Sequence, residues 1–176
     1  MKSKHSSGVH QLQPITALLS STHNPWGSDG GAENCIDGIT LTNSANGGLC
    51  HSQIEAAPWL ALDFGEGAKV SIERVLLYNT ESSAAARTKN VEVRLSNELP
   101  TSSSSMYSGG YLLGTFQGPA VPSQIVEIKA ETWSTWPGHG RYLIVQLNHM
   151  NPMNNNDYLN LVEAVAFGVR LYEGKI

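Results

Sequence analysis

From Trp59 onward the chain is a succession of short apolar stretches without helical spacing, each closed by a cluster of Gly, Pro, Asn or Ser. Residues 59–64 (WLALDF) form a strand-length apolar run that stops at Gly65-Glu66-Gly67. Val70-Ser71-Ile72-Glu73 alternates, and the segment then turns continuously apolar up to Tyr78. Val91-Glu92-Val93-Arg94-Leu95 alternates strictly, residues 125–128 do so briefly, and residues 141–147 and 161–169 complete the set. A period of two puts alternate side chains on one face of a strand. No segment has an apolar stripe at helical spacing with caps, and Ala84-Ala85-Ala86-Arg87 is at most one helical turn. Several strands with loops between them and no helices predict an all-β fold, an antiparallel sandwich or barrel.

The 176 residues suffice for one domain with its own core. Residues 1–13 read as a polar tail, disordered or a tag remnant, and residues 14–173 as the domain. Between Ser20 and Ala57 lies a long irregular stretch rich in Gly, Asn and Ser. Inside a compact domain, packed turns, a disulfide or a metal ion must order a loop of that length. Only 15% of residues are charged and the formal net charge is -4, with no basic run, which argues against nucleic acid as a partner. No apolar stretch is long enough to cross a bilayer. The polar start has no apolar signal core, so an extracellular domain would come from a longer secreted precursor; a cytoplasmic one is the alternative.

The motifs of common catalytic sites are missing. There is no G-x-S-x-G elbow for a serine nucleophile, no H-E-x-x-H for a hydrolytic metal and no glycine-rich phosphate loop. The six histidines are scattered, and the expectation is a protein that is not an enzyme. Asn34-Cys35-Ile36-Asp37-Gly38-Ile39 combines a carboxylate, an amide and a glycine. It suits either a hard cation wanting several oxygens or an ordinary Asx-turn. Cys35 and Cys50 either pair in an oxidising compartment or are two free thiols. Trp59 reads as core, and Arg87 as a loop residue that is either solvated or part of a site.

The order of these pieces resembles the discoidin family, the C-type domain of the coagulation factors, which includes the F-type lectins or fucolectins. The resemblance runs through Asn34-Cys35-Ile36-Asp37-Gly38, Cys50-His51-Ser52 and Pro58-Trp59-Leu60-Ala61-Leu62-Asp63-Phe64-Gly65. It continues at Arg87-Thr88-Lys89-Asn90-Val91-Glu92-Val93-Arg94, at Leu113-Gly114-Thr115-Phe116, and over residues 140–147 and 158–168. It implies a jelly-roll sandwich with long loops at one end that hold a calcium ion, Ca2+, and a shallow sugar site. Carried over by position, Asn34 and Ile39 would give backbone oxygens to the calcium, Asp37 a carboxylate, Val162 a carbonyl and Glu163 a carboxylate. Gly48 stands where fucolectins often place a serine ligand. A carboxylate at Glu163, on an otherwise apolar strand, needs a partner if buried. A disulfide between Cys35 and Cys50 would staple the same loops.

The resemblance makes the ligand a glycan, of fucose or galactose type with an altered site. His51 and Arg87 would be its polar anchors and Trp26 an apolar wall. The first of the family's two arginines falls at Thr80, and the acidic brace falls at Ser82, with Glu81 beside it. Ser83 and Ala84 replace the family's adjacent cysteines. Competing expectations are an adhesion module that binds protein or phospholipid through the same loops, and a non-catalytic accessory domain of a larger enzyme.

Overall fold

The computed structural model describes residues 8–23, 30–41, 48–130, 138–148 and 158–171. These hold eleven strands: β1 (His10–Leu12), β2 (Thr16–Leu19), β3 (Cys50–His51), β4 (Trp59–Asp63), β5 (Lys69–Tyr78), β6 (Val91–Ser96), β7 (Tyr111–Phe116), β8 (Ile125–Lys129), β9 (Tyr142–Leu147), β10 (Asn160–Leu161) and β11 (Glu163–Leu171). Two short 3-10 turns, η1 (Ala32–Cys35) and η2 (Ser83–Arg87), are the only helical elements among the described residues. Every strand pairing is antiparallel. A four-stranded sheet runs β1-β11-β5-β8, a five-stranded sheet runs β2-β4-β9-β6-β7, and β3 with β10 forms a small ribbon. The fold is the expected all-β antiparallel sandwich.

The alternation in the sequence builds the core. Val91, Val93 and Leu95 of β6 and Val126 and Ile128 of β8 point inward, where they join Leu60, Leu62, Ile72, Leu77, Leu143 and Val145 in one buried cluster. β4 reads as continuously apolar because both of its faces are covered. Leu60 and Leu62 face the main core, while Trp59 and Ala61 pack with Ile144 against Leu99 and Tyr107. Gln146 fixes the covering loop: its amide donates to the Ala57 carbonyl (2.9 Å) and its Oε1 accepts from the Tyr107 N–H (2.8 Å). Below it, Arg141 forks onto Asp63 at 2.7 and 2.6 Å, which holds that carboxyl below its ordinary range. Gly168 sits at a bulge in β11, where a Cβ would meet the Ser71 carbonyl oxygen at 2.0 Å, so only glycine fits.

Three features differ from the sequence expectation. Residues 10–12, expected to be tail, form β1 against β11, and Leu12 is buried. β7 was not evident from periodicity because it is an edge strand: Tyr111 and Leu112 are 47% and 50% exposed, and Leu113 alone is fully inside. The run 161–169 is two strands. The chain breaks at Val162, whose N–H donates to the Tyr78 carbonyl (2.9 Å), and β11 starts at Glu163. Glu163, the first residue of β11, is buried.

Candidate functional site

Cys35, at the end of η1, and Cys50, at the start of β3, form a disulfide with a Cα–Cα distance of 5.4 Å. Both are fully buried. The bridge ties the Asn34–Asp37 loop to the ribbon that carries His51. In that ribbon His51 is opposite Asn160 and Cys50 is opposite Leu161. His51 also exchanges backbone hydrogen bonds with a neighbouring segment: its N–H donates to Gly30 (3.0 Å) and its carbonyl accepts from His23 (2.7 Å).

Four half-buried side chains meet here. The His51 ring lies 4.7 Å from that of His23 and 4.8 Å from that of Tyr158, and His23 and Tyr158 are 5.2 Å apart. The Arg87 guanidinium sits 4.8 Å over the Tyr158 ring, a cation–π arrangement, and its Nη1 is 3.3 Å from His51 Nε2. His51 Nδ1 is 2.7 Å from its neighbour's carbonyl at Ser52. A carbonyl only accepts, so Nδ1 carries the proton and Nε2 presents its lone pair to Arg87. Burial, and then the His23 and Arg87 charges, push the His51 imidazole down to about 4 against the pull of the Ser52 carbonyl. It is therefore neutral at pH 7. Neutral His51 thus accepts from Arg87, whose remaining guanidinium N–H groups are donors on the same surface.

η2 delivers Arg87. Ser82 caps the turn by accepting from the Ala84 N–H, and Arg87 occupies its last position. Thr88 then anchors the chain through a 2.6 Å hydrogen bond to Asn79 Oδ1.

Beside the ribbon, Glu163 is 4% exposed. Its Oε1 accepts from the Gly38 N–H at 3.2 Å, while its Oε2 is buried without a hydrogen-bond partner among the described residues. Burial raises this carboxyl to about 7, the Asp37 charge adds to the rise, and the Gly38 and Asp37 backbone N–H groups oppose it. Asp37 closes an Asx-turn, accepting from the Ile39 N–H at 2.8 Å. The Asx-turn, one of the two readings that the sequence allows for this loop, is therefore present. Among the described residues no three His, Cys, Asp or Glu side chains converge, so a cation here would rely on Asp37, Glu163 and backbone carbonyls. Such an oxygen-only donor set fits a hard cation, and the orphaned Glu163 oxygen is a group that a cation would satisfy. Gly48 has φ +105, a conformation that disfavours any side chain, so a serine could not replace it without strain. The Asn34 side chain donates from Nδ2 to the Leu49 carbonyl (3.2 Å).

The remaining sequence candidates fare differently. Thr80 is fully buried; its carbonyl accepts from Ser123 N–H and its hydroxyl from Ser82 N–H. The position of the family's first arginine is therefore an internal turn that cannot reach a ligand. No ion pair or hydrogen bond among the described residues joins Glu81 to Arg87 or His51. Glu81 instead lines a separate pocket of about 260 Å³ with Thr40, Leu41 and Ile125. Trp26 lies outside the described residues. His23 and Tyr158 were missed as site residues, because no spacing rule connects three segments that only the ribbon brings together.

No family model matches the chain, and no curated protein matches it. Solved structures do match. A fucolectin from the serum of striped bass, Morone saxatilis, aligns with a TM-score of 0.71 at 21% identity, over 90% of this chain and 48% of that one. The chain thus spans about half the length of that lectin. A Streptococcus pneumoniae fucose binding module, SpX-3, aligns with a TM-score of 0.63 at 15% identity, covering 91% of this chain and 98% of the module. CBM62 from Clostridium thermocellum Xyl5A gives 0.64 at 19% identity, covering 92% and 98%. At these identities the likeness is one of fold. Taken with the two antiparallel sheets and the ribbon at their end, it gives the chain a discoidin/F-type-lectin-like β-sandwich fold.

Proposed function

We propose that the chain is a non-catalytic, lectin-like carbohydrate-binding module that uses Arg87, His51 and Tyr158 at the loop end and is stabilised by calcium. The observation that carries this reading is the convergence of an arginine fork, a neutral imidazole and an aromatic ring on one half-buried surface. A sugar presents adjacent hydroxyls and an apolar C–H face. Arg87 would donate two hydrogen bonds to neighbouring sugar oxygens, and a sugar hydroxyl that displaces the 3.3 Å Arg87 contact would donate to His51 Nε2. Tyr158, braced by both histidine rings, would cover the less polar face. The fucose or galactose type is the specificity we assign, in keeping with the fucose-binding neighbour. With Thr80 internal, only one guanidinium serves the ligand, which weakens binding by about 1–3 kcal/mol relative to an arginine pair.

Calcium would be held by the Asp37 and Glu163 carboxylates with backbone oxygens of Asn34, Ile39, Gly48 and Val162. The Glu163 oxygen that lacks a partner among the described residues supports that assignment. The ion would neutralise the carboxylate pair and stiffen the loop that the disulfide ties to His51. A disulfide in these loops also supports an extracellular or otherwise oxidising location. One observation favours the adhesion reading: Leu41 is 88% exposed, Val121 60%, Ile125 50% and Ile39 49%, an apolar set that a protein or lipid partner could cover.

A glycan array run in calcium and again in EDTA tests the proposal. Fucosylated or galactosylated neutral glycans should bind in calcium, with a clear loss of signal in EDTA. Absence of glycan binding in both conditions, with capture by phospholipid vesicles, would transfer the function to the apolar loop residues.

A further inference from the structure

A second polar groove, of about 380 Å³, lies at the β6–β7 edge of the five-stranded sheet, lined by Asn90, Glu92, Thr115, Phe116, Gln117 and Asn148. Its frame is rigid. Asn90 has φ +49, its N–H donates to the Gln117 carbonyl (2.8 Å), and its carbonyl accepts from the Asn148 N–H (3.0 Å). Its side chain also donates to the Asn148 carbonyl at 3.2 Å. These bonds fix the backbone at three lining positions and leave the Gln117 and Asn148 side-chain amides without a partner among the described residues.

Strand alternation supplies the wall. Glu92 and Thr115 are cross-strand neighbours on the face turned away from the core. Arg94, on the same face, holds Glu92 Oε2 with Nε at 3.1 Å and Nη2 at 3.0 Å. Glu92 Oε1 accepts no hydrogen bond from a described residue, so one oriented acceptor is left for a ligand. Phe116, half-buried at the edge of the core, adds an apolar side.

We propose that this groove is a second saccharide-binding site, for a neutral hexopyranose unit. A carboxylate oxygen, a hydroxyl and two amides provide acceptors and donors in the mixture that a ring of hydroxyls requires, and Phe116 suits its C–H face. No lining residue is cationic and the Glu92 carboxylate is already paired with Arg94, so the lining itself offers no positive charge to hold a phosphate, a nucleotide or an acidic sugar. Arg87 and Asn90 are three residues apart, a reach of at most about 11 Å, so one oligosaccharide could occupy both sites. The choice of ligand class rests on the carbohydrate reading of the loop end, but the residues are independent of it.

The test is an NMR titration of the full chain with fucose, galactose, glucose and N-acetylglucosamine, each to about 100 mM, reading the Asn148 and Gln117 side-chain amides separately from His51 and Arg87. At least one sugar should shift the two amides saturably. Thr115→Ala/Gln117→Ala, at two exposed positions, should weaken that response about tenfold, and Arg87→Ala should leave it intact. Unmoved amides with all four sugars, or a response that the double variant leaves unchanged, would overturn the groove. Groove signals that move while His51 and Arg87 stay still would support the groove and count against the loop-end reading. The reverse pattern would do the opposite.

Discussion

Replacing both cysteines, Cys35→Ala with Cys50→Ala, is expected to lower stability by about 3 kcal/mol, which is the chain-entropy value for a loop of about fifteen residues. The two cysteines are 15 positions apart in sequence, and both are fully buried. In a domain of this size the loss corresponds to a drop in Tm of about 6–12 °C. The damage should not be confined to stability. Cys35 is two positions from Asp37, and Cys50 adjoins His51, so the bridge couples the cation loop to the ligand ribbon. Calorimetry of the double variant, and of wild type under reductant, should give the same shift. A Tm within about 2 °C of wild type in both would mean that the loops are held without the bridge.

The second large effect is a calcium response that grows with pH. Burial raises Glu163 from its ordinary 4.5 to about 7, so between those values the metal-free folded chain holds a proton that the unfolded chain has lost. Stability therefore falls as pH rises through this window. His51 acts in the opposite sense. Its imidazole is depressed from 6.5 to about 4, so its contribution is fully present above 6.5 and is lost as pH falls toward 4. The two slopes oppose each other in mildly acidic solution, and above 6.5 the Glu163 penalty stands alone. Calcium would remove that penalty by replacing the proton. At a calcium concentration of about 100 times Kd, the stabilisation is about 2.7 kcal/mol, or about 5–11 °C in Tm. The shift should be large near about pH 7.5 and much smaller near about pH 5. Glu163→Gln should be more stable than metal-free wild type at the higher pH and should no longer respond to calcium. Identical Tm values with and without calcium at both pH values would remove the cation from the account.

The sequence exposed the scaffold more fully than the site. β4, β5, β6, β8 and β9 were visible because their inward residues follow period two or run continuously apolar, as in β4 with its two covered faces. β7 was hidden because an edge strand buries little, and β1 because three residues carry no period. At the loop end, His51 came from the resemblance, and Arg87 stood out as a loop residue whose ligand role only the resemblance supplied. His23 and Tyr158 could not be reached that way, since their contacts depend on the β3–β10 ribbon and the backbone bond between His23 and His51. Thr80 looked like a lost ligand group in sequence, whereas the fold makes it a buried turn residue. Glu163 stood out in the sequence because a carboxylate in an apolar strand needs a partner if buried, and it is buried.

The most direct test of the central claim is the affinity of wild type and Arg87→Ala, in calcium, for the best-bound glycan on the array. Arg87 is half-buried, and its hydrogen-bond and ring partners among the described residues are His51 and Tyr158, so its removal should change stability little. If Arg87 supplies the charged fork, its loss should weaken binding by about a hundredfold while Tm stays close to wild type. An Arg87→Ala chain that binds the glycan within about threefold of wild type would contradict the loop-end site.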